Sequence, residues 1–496
     1  MTTRQTLLLA ICCYLCTAWH AVGWHQGDEH FQILEFAAYK AGAVHEAELA
    51  WEFRERMRPA FQPFLAYVGY QVLGGAGVTN PFTLALLLRL LTAGFFLGLA
   101  WLLYRRYSLE LIGEFWRVNA DEETSARGWQ RALLCLLLFH WCGVYSGLRF
   151  SGENWSGLLL TLGFVLHPAT APSAQRQAAG IGPSFGIGWL LGFAFLCRYQ
   201  VALLVVGLLL WLLFIARERW GALLSLCLGG LLAVGLGILL DYWLYGEWVL
   251  SAWNYLAVNL LEGKAASYGT LPWWGYFKAV FEKGVPPLSL LYIGATLYFC
   301  YRFRRHPITW MWVPFLLVHC LLSRKDVRFL FPLLPLLPVV LVFAGQAFYT
   351  TWVTNTPRQK WWRNTLRFCW IVNLGLLLTV LVRPLTSEVR MARSLYHRFP
   401  EGFTLYAPDR DLYSFAYLEA KFYQRPHRVS VRKWQEELYP ITYPAGTILY
   451  VEKSRDPAPP LYDYLLYTNR PAWLEPFNFN GWLDELAWWH IYVLEE

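Results

Sequence analysis

The sequence predicts an all-α polytopic membrane protein of about eleven transmembrane helices, followed by a small C-terminal α/β domain outside the membrane. Three observations lead there. The chain of 496 residues is 56% hydrophobic and only 15% charged, with a mean hydropathy of +0.32, whereas a soluble domain carries about 25% charged residues. Apolar runs long enough to span a bilayer recur as far as residue 383. From residue 384 the composition turns polar, Tyr-rich and Pro-punctuated. The 27 Trp and 29 Tyr suit a protein with many membrane–water boundaries. The net charge of +8 gives no sign of a nucleic-acid partner.

The first run follows Arg4 and ends in Trp24 and His25, with no small-residue cleavage site, so it reads as an uncleaved span with a cytoplasmic N-terminus. Further runs lie near 81–103, 131–148, 154–167, 185–199, 200–215, 221–240, 286–302, 307–322, 329–349 and 367–383. Alternating sides then makes "YRRYSLELIGEFWR", "HPATAPSAQRQ", "ARERW", "YRFRRH" and "NTPRQKWWRNTLR" cytoplasmic, and each carries Arg or Lys, as positive-inside topology requires. The same register puts 24–80, 241–285, 323–328 and everything from 384 on the outer face, lumenal in an ER membrane or periplasmic in a bacterial inner membrane. This divides the chain into a membrane domain, 1–383, and an outer domain, 384–496. In "FQILEFAAYKAG", Phe31, Leu34 and Ala38 fall at helical spacing, as in an amphipathic helix lying in the interface. Past 384, "FTLYAP", "RVSVRK", "TILYVEK" and "WHIYVLEE" read as strands and "DLYSFAYLEAKFYQ" as a helix.

The candidate chemistry collects on the outer face. Asp28 and Glu29 follow the first span, where adjacent carboxylates either end a helix in water or act on a substrate. Arg149, Arg198, Lys325 and Arg328 lie at outer span boundaries. Singly, each could snorkel to headgroups; together they read as an anion site, with a lipid-linked phosphate as the anion. The stretch 241–277 combines aromatic density with Asp241, Asn254, Asn259 and Tyr-Gly turns at 245 and 268. A sugar offers apolar CH faces and a belt of hydroxyls, which such a mixture matches. The ten cysteines lie in or beside apolar runs and show no metal-site spacing, Cys13 and Cys16 reading as lipid-facing.

Three ordered motifs resemble glycosyltransferase family 22, which includes the dolichol-phosphate-mannose-dependent mannosyltransferases of GPI-anchor and N-glycan assembly. In the loop signature, Asp241, Tyr245, Gly246, Trp248, Asn254, Asn259, Tyr268, Gly269, Pro272, Trp273, Tyr276 and Phe277 match in order. In "HCLLSRKDVRFLFP", His319, Lys325, Arg328, Phe329 and Pro332 match the family's H-S-L-x-x-H-K-E-E-R-F-L-x-P. Near the N-terminus, Asp28, Glu29, Phe31 and Gln32 match H-P-D-E-x-F-Q, and Trp51-Glu52 resembles the T-W-E-W that follows. Gly27 stands where the pattern has Pro, His25 is displaced by one, and Arg324 and Val327 replace the family's His and second Glu.

The resemblance implies a GT-C fold and inverting transfer of a sugar, usually mannose, from a polyprenyl-phosphate donor to a lipid-linked or glycan acceptor. It implies Asp28 as general base, with Glu29 orienting the acceptor or substituting for it. Lys325 and Arg328, with Arg149 and Arg198, would meet the leaving phosphate; Asp241, Tyr245, Asn254, Asn259, Tyr268, Trp273 and His319 would line the sugar and acceptor side. No metal or other cofactor is expected. A lipid-linked sugar transporter would spread charge through mid-span positions or repeated halves, and a non-catalytic assembly subunit would lack the paired acids. A topology reporter fused after residue 496 should respond as an extracytoplasmic one, and a cytoplasmic signal would break the eleven-span arrangement.

Overall fold

The computed structural model describes residues 2–113, 120–171, 177–353, 355–408, 410–425, 428–434, 447–455 and 464–494. Its helices are α1 Thr3–His20, α2 Gly27–Phe31, α3 Leu34–Lys40, α4 Trp51–Arg54, α5 Phe61–Gly75, α6 Pro81–Gly113, α7 Ala120–Phe139, α8 Trp141–Ser146, α9 Gly152–Leu166 and α10 Ile181–Cys197. They continue with α11 Ala202–Trp211, α12 Trp220–Tyr245, α13 Ser251–Leu256, α14 Lys264–Ser267, α15 Gly275–Lys283, α16 Leu288–Arg302, α17 Pro307–Leu321, α18 Leu337–Trp352, α19 Thr356–Val382 and α20 Ser387–Arg398. The strands are β1 Phe403–Ala407, β2 Ser414–Phe415, β3 Leu418–Glu419, β4 Val429–Lys433, β5 Ile448–Ser454, β6 Tyr464–Thr468 and β7 Trp488–Leu494. Residues group into two compact units: Met1–Ala21, Trp51–Val68 and Ala85–Arg383 in one, Val22–Ala50, Gly69–Leu84 and Pro384–Glu496 in the other.

In the first unit a helix lies at each expected span. Among the described residues, four stretches are long and apolar enough to cross a membrane by themselves: Pro81–Ser108, Tyr199–Ala216, Trp220–Tyr245 and Thr356–Arg398. Val327–Leu333 with Leu337–Trp352 makes a fifth if its 75° bend lies within one span. Small residues let the backbones of α10 and α12 approach closely. A Cβ on Gly188 would strike the Leu226 carbonyl, and one on Gly192 would stand 2.5 Å from Ala233 Cβ and 2.8 Å from Gly230 O.

Two runs that read as continuous helices are broken. The 131–148 run breaks at His140 between α7 and α8, and Asn373 of α19 repairs the break. Its Oδ1 accepts from Trp141 N–H at 3.0 Å and its Nδ2 donates to Phe139 O at 2.9 Å. Freed backbone groups in an apolar bundle need such partners. In the 329–349 run, Pro332, Pro335 and Pro338 withhold three backbone donors. The chain there forms a 3₁₀ segment, Val327–Leu333, before α18.

The second unit holds a mixed sheet in the order β4-β1-β5-β7-β6, with β1 parallel to β4 and β5 and β7 antiparallel to its neighbours. Its core is Tyr406, Trp434, Ile448, Tyr450 and Tyr492. The N-terminal segment is tied in by Leu385 and Thr386 N–H groups, which donate to Val22 O at 3.0 and 3.1 Å. Gly23, at φ 92, has no room for a Cβ beside Thr386.

Two expectations are corrected in this unit. "DLYSFAYLEAKFYQ" is not a helix but the hairpin β2–β3 followed by a 3₁₀ turn, Lys421–Tyr423. Asp411 Oδ1 captures the N–H groups of Tyr413 at 2.6 Å and Ser414 at 3.1 Å, a local turn that competes with the helix. "FQILEFAAYKAG" does not lie on an interface with one face exposed. Phe31, Leu34, Glu35, Phe36, Ala37 and Ala38 are all buried, so the segment is core on every side. The connection residues 114–119 and 172–176, and the end of the last expected strand at 495–496, lie outside the described residues.

Gly188→Leu should lower stability by about 1–3 kcal/mol or more through overpacking. Gly186→Leu, with open space around its Cβ position, should stay within about 0.5 kcal/mol of wild type. Thermal midpoints in one detergent decide this, and equal losses would refute the close crossing.

Candidate active site

The basic residues of the first unit are assembled by helix ends. Ser151 Oγ caps α9, accepting from Asn154 N–H at 3.3 Å, and Glu153 occupies the first turn, where the helix dipole favours an acid. A Cβ on Gly152 would stand 2.6 Å from the carbonyl of Cys197, the last residue of α10. One on Gly157 would stand 2.7 Å from Pro332 Cα, within the 3₁₀ segment. These two approaches bring Arg198 and Arg328 against Glu153. Arg198 Nη2 lies 3.3 Å and Arg328 Nε 3.9 Å from the same Glu153 Oε1, and Arg328 Nε lies 3.2 Å from Asp326 Oδ2. Arg149, three residues before α9, is buried with its guanidinium 3.9 Å from the Tyr145 ring centre.

Lys325 joins the basic turn to the aromatic loop. Its Nζ donates to Leu271 O at 3.0 Å and Leu322 O at 2.5 Å. Leu271 N–H donates to Ser323 O at 3.0 Å, and Arg324 donates to Tyr268 O. Two of the three ammonium protons are thus engaged. Behind it lie Tyr276, 6.0 Å from the ammonium, and His319, ring centres 6.4 Å apart. Burial pushes the Tyr276 phenol up, with Asp326 and Arg198 among its charged neighbours. His319 is buried; its Nδ1 faces Phe315 O at 2.8 Å and so carries the proton, and Nε2 has no hydrogen-bond partner among the described residues.

Three residues read as sugar ligands hold backbone instead. Asp241 Oδ1 accepts from Ala60 N–H at 2.9 Å, and its other oxygen accepts from the Ser251 hydroxyl, which meets Tyr199 OH at 2.6 Å. Tyr245 OH accepts from Arg58 N–H at 3.2 Å and donates to Arg58 O at 2.7 Å. Asn254 Nδ2 reaches the carbonyls of Glu55 and Arg56, each at 3.3 Å. Together they clamp residues 55–60. Asn259 Nδ2 donates to Tyr255 O at 3.0 Å, while the side chains of Tyr268 and Trp273 are exposed.

Asp28 and Glu29 belong to the second unit, in the first turn of α2, both half-buried. Glu29 accepts from His25 N–H at 3.2 Å. The next residue, His30, is buried, its Nε2 2.8 Å from Glu35 Oε1, which also accepts from Phe422 N–H at 3.0 Å. The His30 ring packs against both Trp24, centres 4.5 Å apart, and Tyr423, 5.0 Å apart, and those two rings lie 6.4 Å from each other.

The sequence profile of the Alg9-like mannosyltransferase family matches residues 6–402. The chain belongs to that family. GPI alpha-1,2-mannosyltransferase 3 of Homo sapiens is 26% identical over 360 residues, covering 71% of this chain and 57% of that protein. Mannosyltransferase APTG1 of Arabidopsis thaliana is 23% identical over 335 residues, covering 65% and 54%. The chain thus spans a little over half the length of these relatives. Among solved structures, ArnT from Cupriavidus metallidurans bound to undecaprenyl phosphate superposes with a TM-score of 0.50 at 12% identity, covering 90% of this chain and 92% of that one. The two share a GT-C fold.

In this Alg9-like mannosyltransferase family member the loop signature and the 319–332 signature come together, as Lys325 against Leu271 O and the Tyr276 ring shows. Sequence reasoning missed Glu153 as the partner of Arg198 and Arg328, because those residues are remote from it in the chain. The Gly152 and Gly157 positions on an otherwise apolar helix were the available signal. Gln62 was also missed: it is buried near Gly152, and its Nε2 has no hydrogen-bond partner among the described residues.

Asp241→Ala should remove the clamp on residues 55–60 and lower stability by about 1–3 kcal/mol. Trp273→Ala should change it by less than about 0.5 kcal/mol. Equal thermal midpoints for the two variants would rule the clamp out.

Proposed function

We propose that the chain transfers mannose, with inversion, from a polyprenyl-phosphate donor to a hydroxyl of a lipid-linked glycan, on the lumenal or periplasmic face of an eleven-span membrane protein. Asp28 takes the acceptor hydroxyl proton as the oxygen attacks the anomeric carbon, and Glu29 orients the acceptor. The sugar–oxygen bond to phosphate breaks on the opposite face. Lys325, Arg328, Arg198 and Arg149 meet the charge that grows on the leaving phosphate, which planar guanidiniums match in fork geometry. No metal or cofactor is called for, because side-chain cations fill that part.

The observation that carries the reading is the Arg198–Glu153–Arg328 cluster, with Arg198 and Glu153 buried and Arg328 half-buried, and with Lys325 fixed nearby by two carbonyls. Guanidiniums prearranged in an apolar setting stabilise developing negative charge more strongly than solvated ones. Family membership supports mannose, and the relatives named GPI alpha-1,2-mannosyltransferase 3 support a GPI-type acceptor with a 1,2-linkage. The ArnT structure bound to undecaprenyl phosphate supports a polyprenyl-phosphate donor.

Membranes carrying the chain should transfer label from radiolabelled polyprenyl-phosphate-mannose to glycolipid acceptor. Asp28→Asn should reduce that transfer by about 10²–10⁴-fold. Full transfer by the variant removes Asp28 as base, and a wild type that consumes no polyprenyl-phosphate sugar removes the donor class.

A further inference from the structure

We infer that Phe415, on the hairpin β2–β3, is a positioning residue for Asp28, so that the C-terminal part of the chain belongs to the catalytic apparatus. The inference rests on Asp28 as the base and adds how that base is held in place.

Gly27, the first residue of α2, stands directly before Asp28. A Cβ there would run into Phe415 Cε1 and stand 3.0 Å from Phe415 Cζ. The Phe415 ring therefore occupies the space that any larger side chain at 27 would need, which accounts for glycine where the family pattern has proline. The same ring stacks on Phe31 at the other end of α2, centres 5.4 Å apart, and meets Trp24 edge-on at 5.8 Å. It thus touches residues flanking and closing the five-residue helix. A helix this short has little stability of its own, so its orientation comes from what packs on it.

The rest of the seat comes from the same stretch. Tyr423 covers the His30 ring, and Phe422 donates its N–H to the Glu35 oxygen that His30 binds. All three residues, Phe415, Phe422 and Tyr423, lie beyond residue 402, where the family profile match ends. The hairpin is also held in a sparsely populated conformation, with Ala416 at φ 53 in its turn. A non-glycine residue in that region persists where surrounding structure imposes it. Misplacing a catalytic group by about 1 Å can cost roughly 10²-fold in rate, so a ring wedged against Gly27 is well placed to matter.

The test is a rescue in the full-length chain, measuring kcat, donor KM and thermal midpoint for Gly27→Ala, Phe415→Ala and the double variant with polyprenyl-phosphate-mannose. Gly27→Ala should lower kcat about 10–100-fold with donor KM within about two-fold, the mark of a misplaced group rather than lost binding. Phe415→Ala alone should also lower kcat, by about 10-fold with donor KM little changed, and the double variant should lose about five-fold less than the product of the two single losses, because it vacates the space the new methyl needs. Wild-type kcat in Gly27→Ala or in Phe415→Ala, losses that simply multiply in the double variant, or a kcat that merely follows the thermal midpoint would each overturn the inference. If Asp28→Asn transfers at full rate, the base assignment fails and this role falls with it. If Asp28→Asn is inactive and the rescue is absent, only the role of Phe415 is lost.

Discussion

A charged group inside an apolar bundle has to be matched, and Glu153 is where the first unit meets that requirement. Desolvating an ion costs several kcal/mol in a protein interior, and removing one member of a buried pair leaves the other uncompensated. Here one carboxylate oxygen serves two guanidiniums, from the end of α10 and from the 3₁₀ segment before α18. Those elements are separated in sequence, so the cluster exists only if three backbones come close. Gly152 and Gly157 make that possible, and a Cβ at either would strike backbone atoms of Cys197 or Pro332. The glycines hold the architecture; the charges they bring together are those the proposed transfer would use.

The proline run after Arg328 belongs to the same constraint. A regular helix through 327–338 would carry Arg328 around a 3.6-residue turn. Withheld donors at Pro332, Pro335 and Pro338 impose the 3₁₀ segment and the 75° bend instead. The backbone near Pro332 is then what α9 packs against through Gly157. Helix breaking, usually a cost in a membrane bundle, here delivers a cation to its place.

Much of the fold was legible because membrane spans write themselves in long apolar runs, and each run received a helix. What the runs could not show was where a helix stops for one residue, as at His140, since the repair comes from Asn373 far along the chain. Four of the five strands of the C-terminal sheet, β1, β4, β5 and β7, were legible in the sequence, and β6 was not. The hairpin at 414–419 was not, because Asp411 captures nearby backbone donors and the aromatic side chains find partners around Trp24. The interfacial stripe at 31–38 misled for a related reason: helical spacing reveals one buried face but cannot show that the opposite face is covered too.

The site was legible as a set of letters and less so as a division of labour. Asp241, Tyr245 and Asn254 match the loop signature, yet their polar atoms bind the backbone of residues 55–60. Lys325 and Arg328 match the second signature and stand in the charged cluster. A motif records which side chains a fold needs, and spacing alone does not separate those that grip the chain from those that face a substrate. The separation is made by counting spent hydrogen-bonding capacity. Both oxygens of the buried Asp241 carboxylate are met by protein donors, Ala60 N–H and the Ser251 hydroxyl, and Tyr245 OH both accepts from and donates to Arg58. By that measure Asp241, Tyr245 and Asn254 hold the protein's own backbone, and the basic groups of the first unit gather at the ends of α9 and α10 and in the turn 323–328.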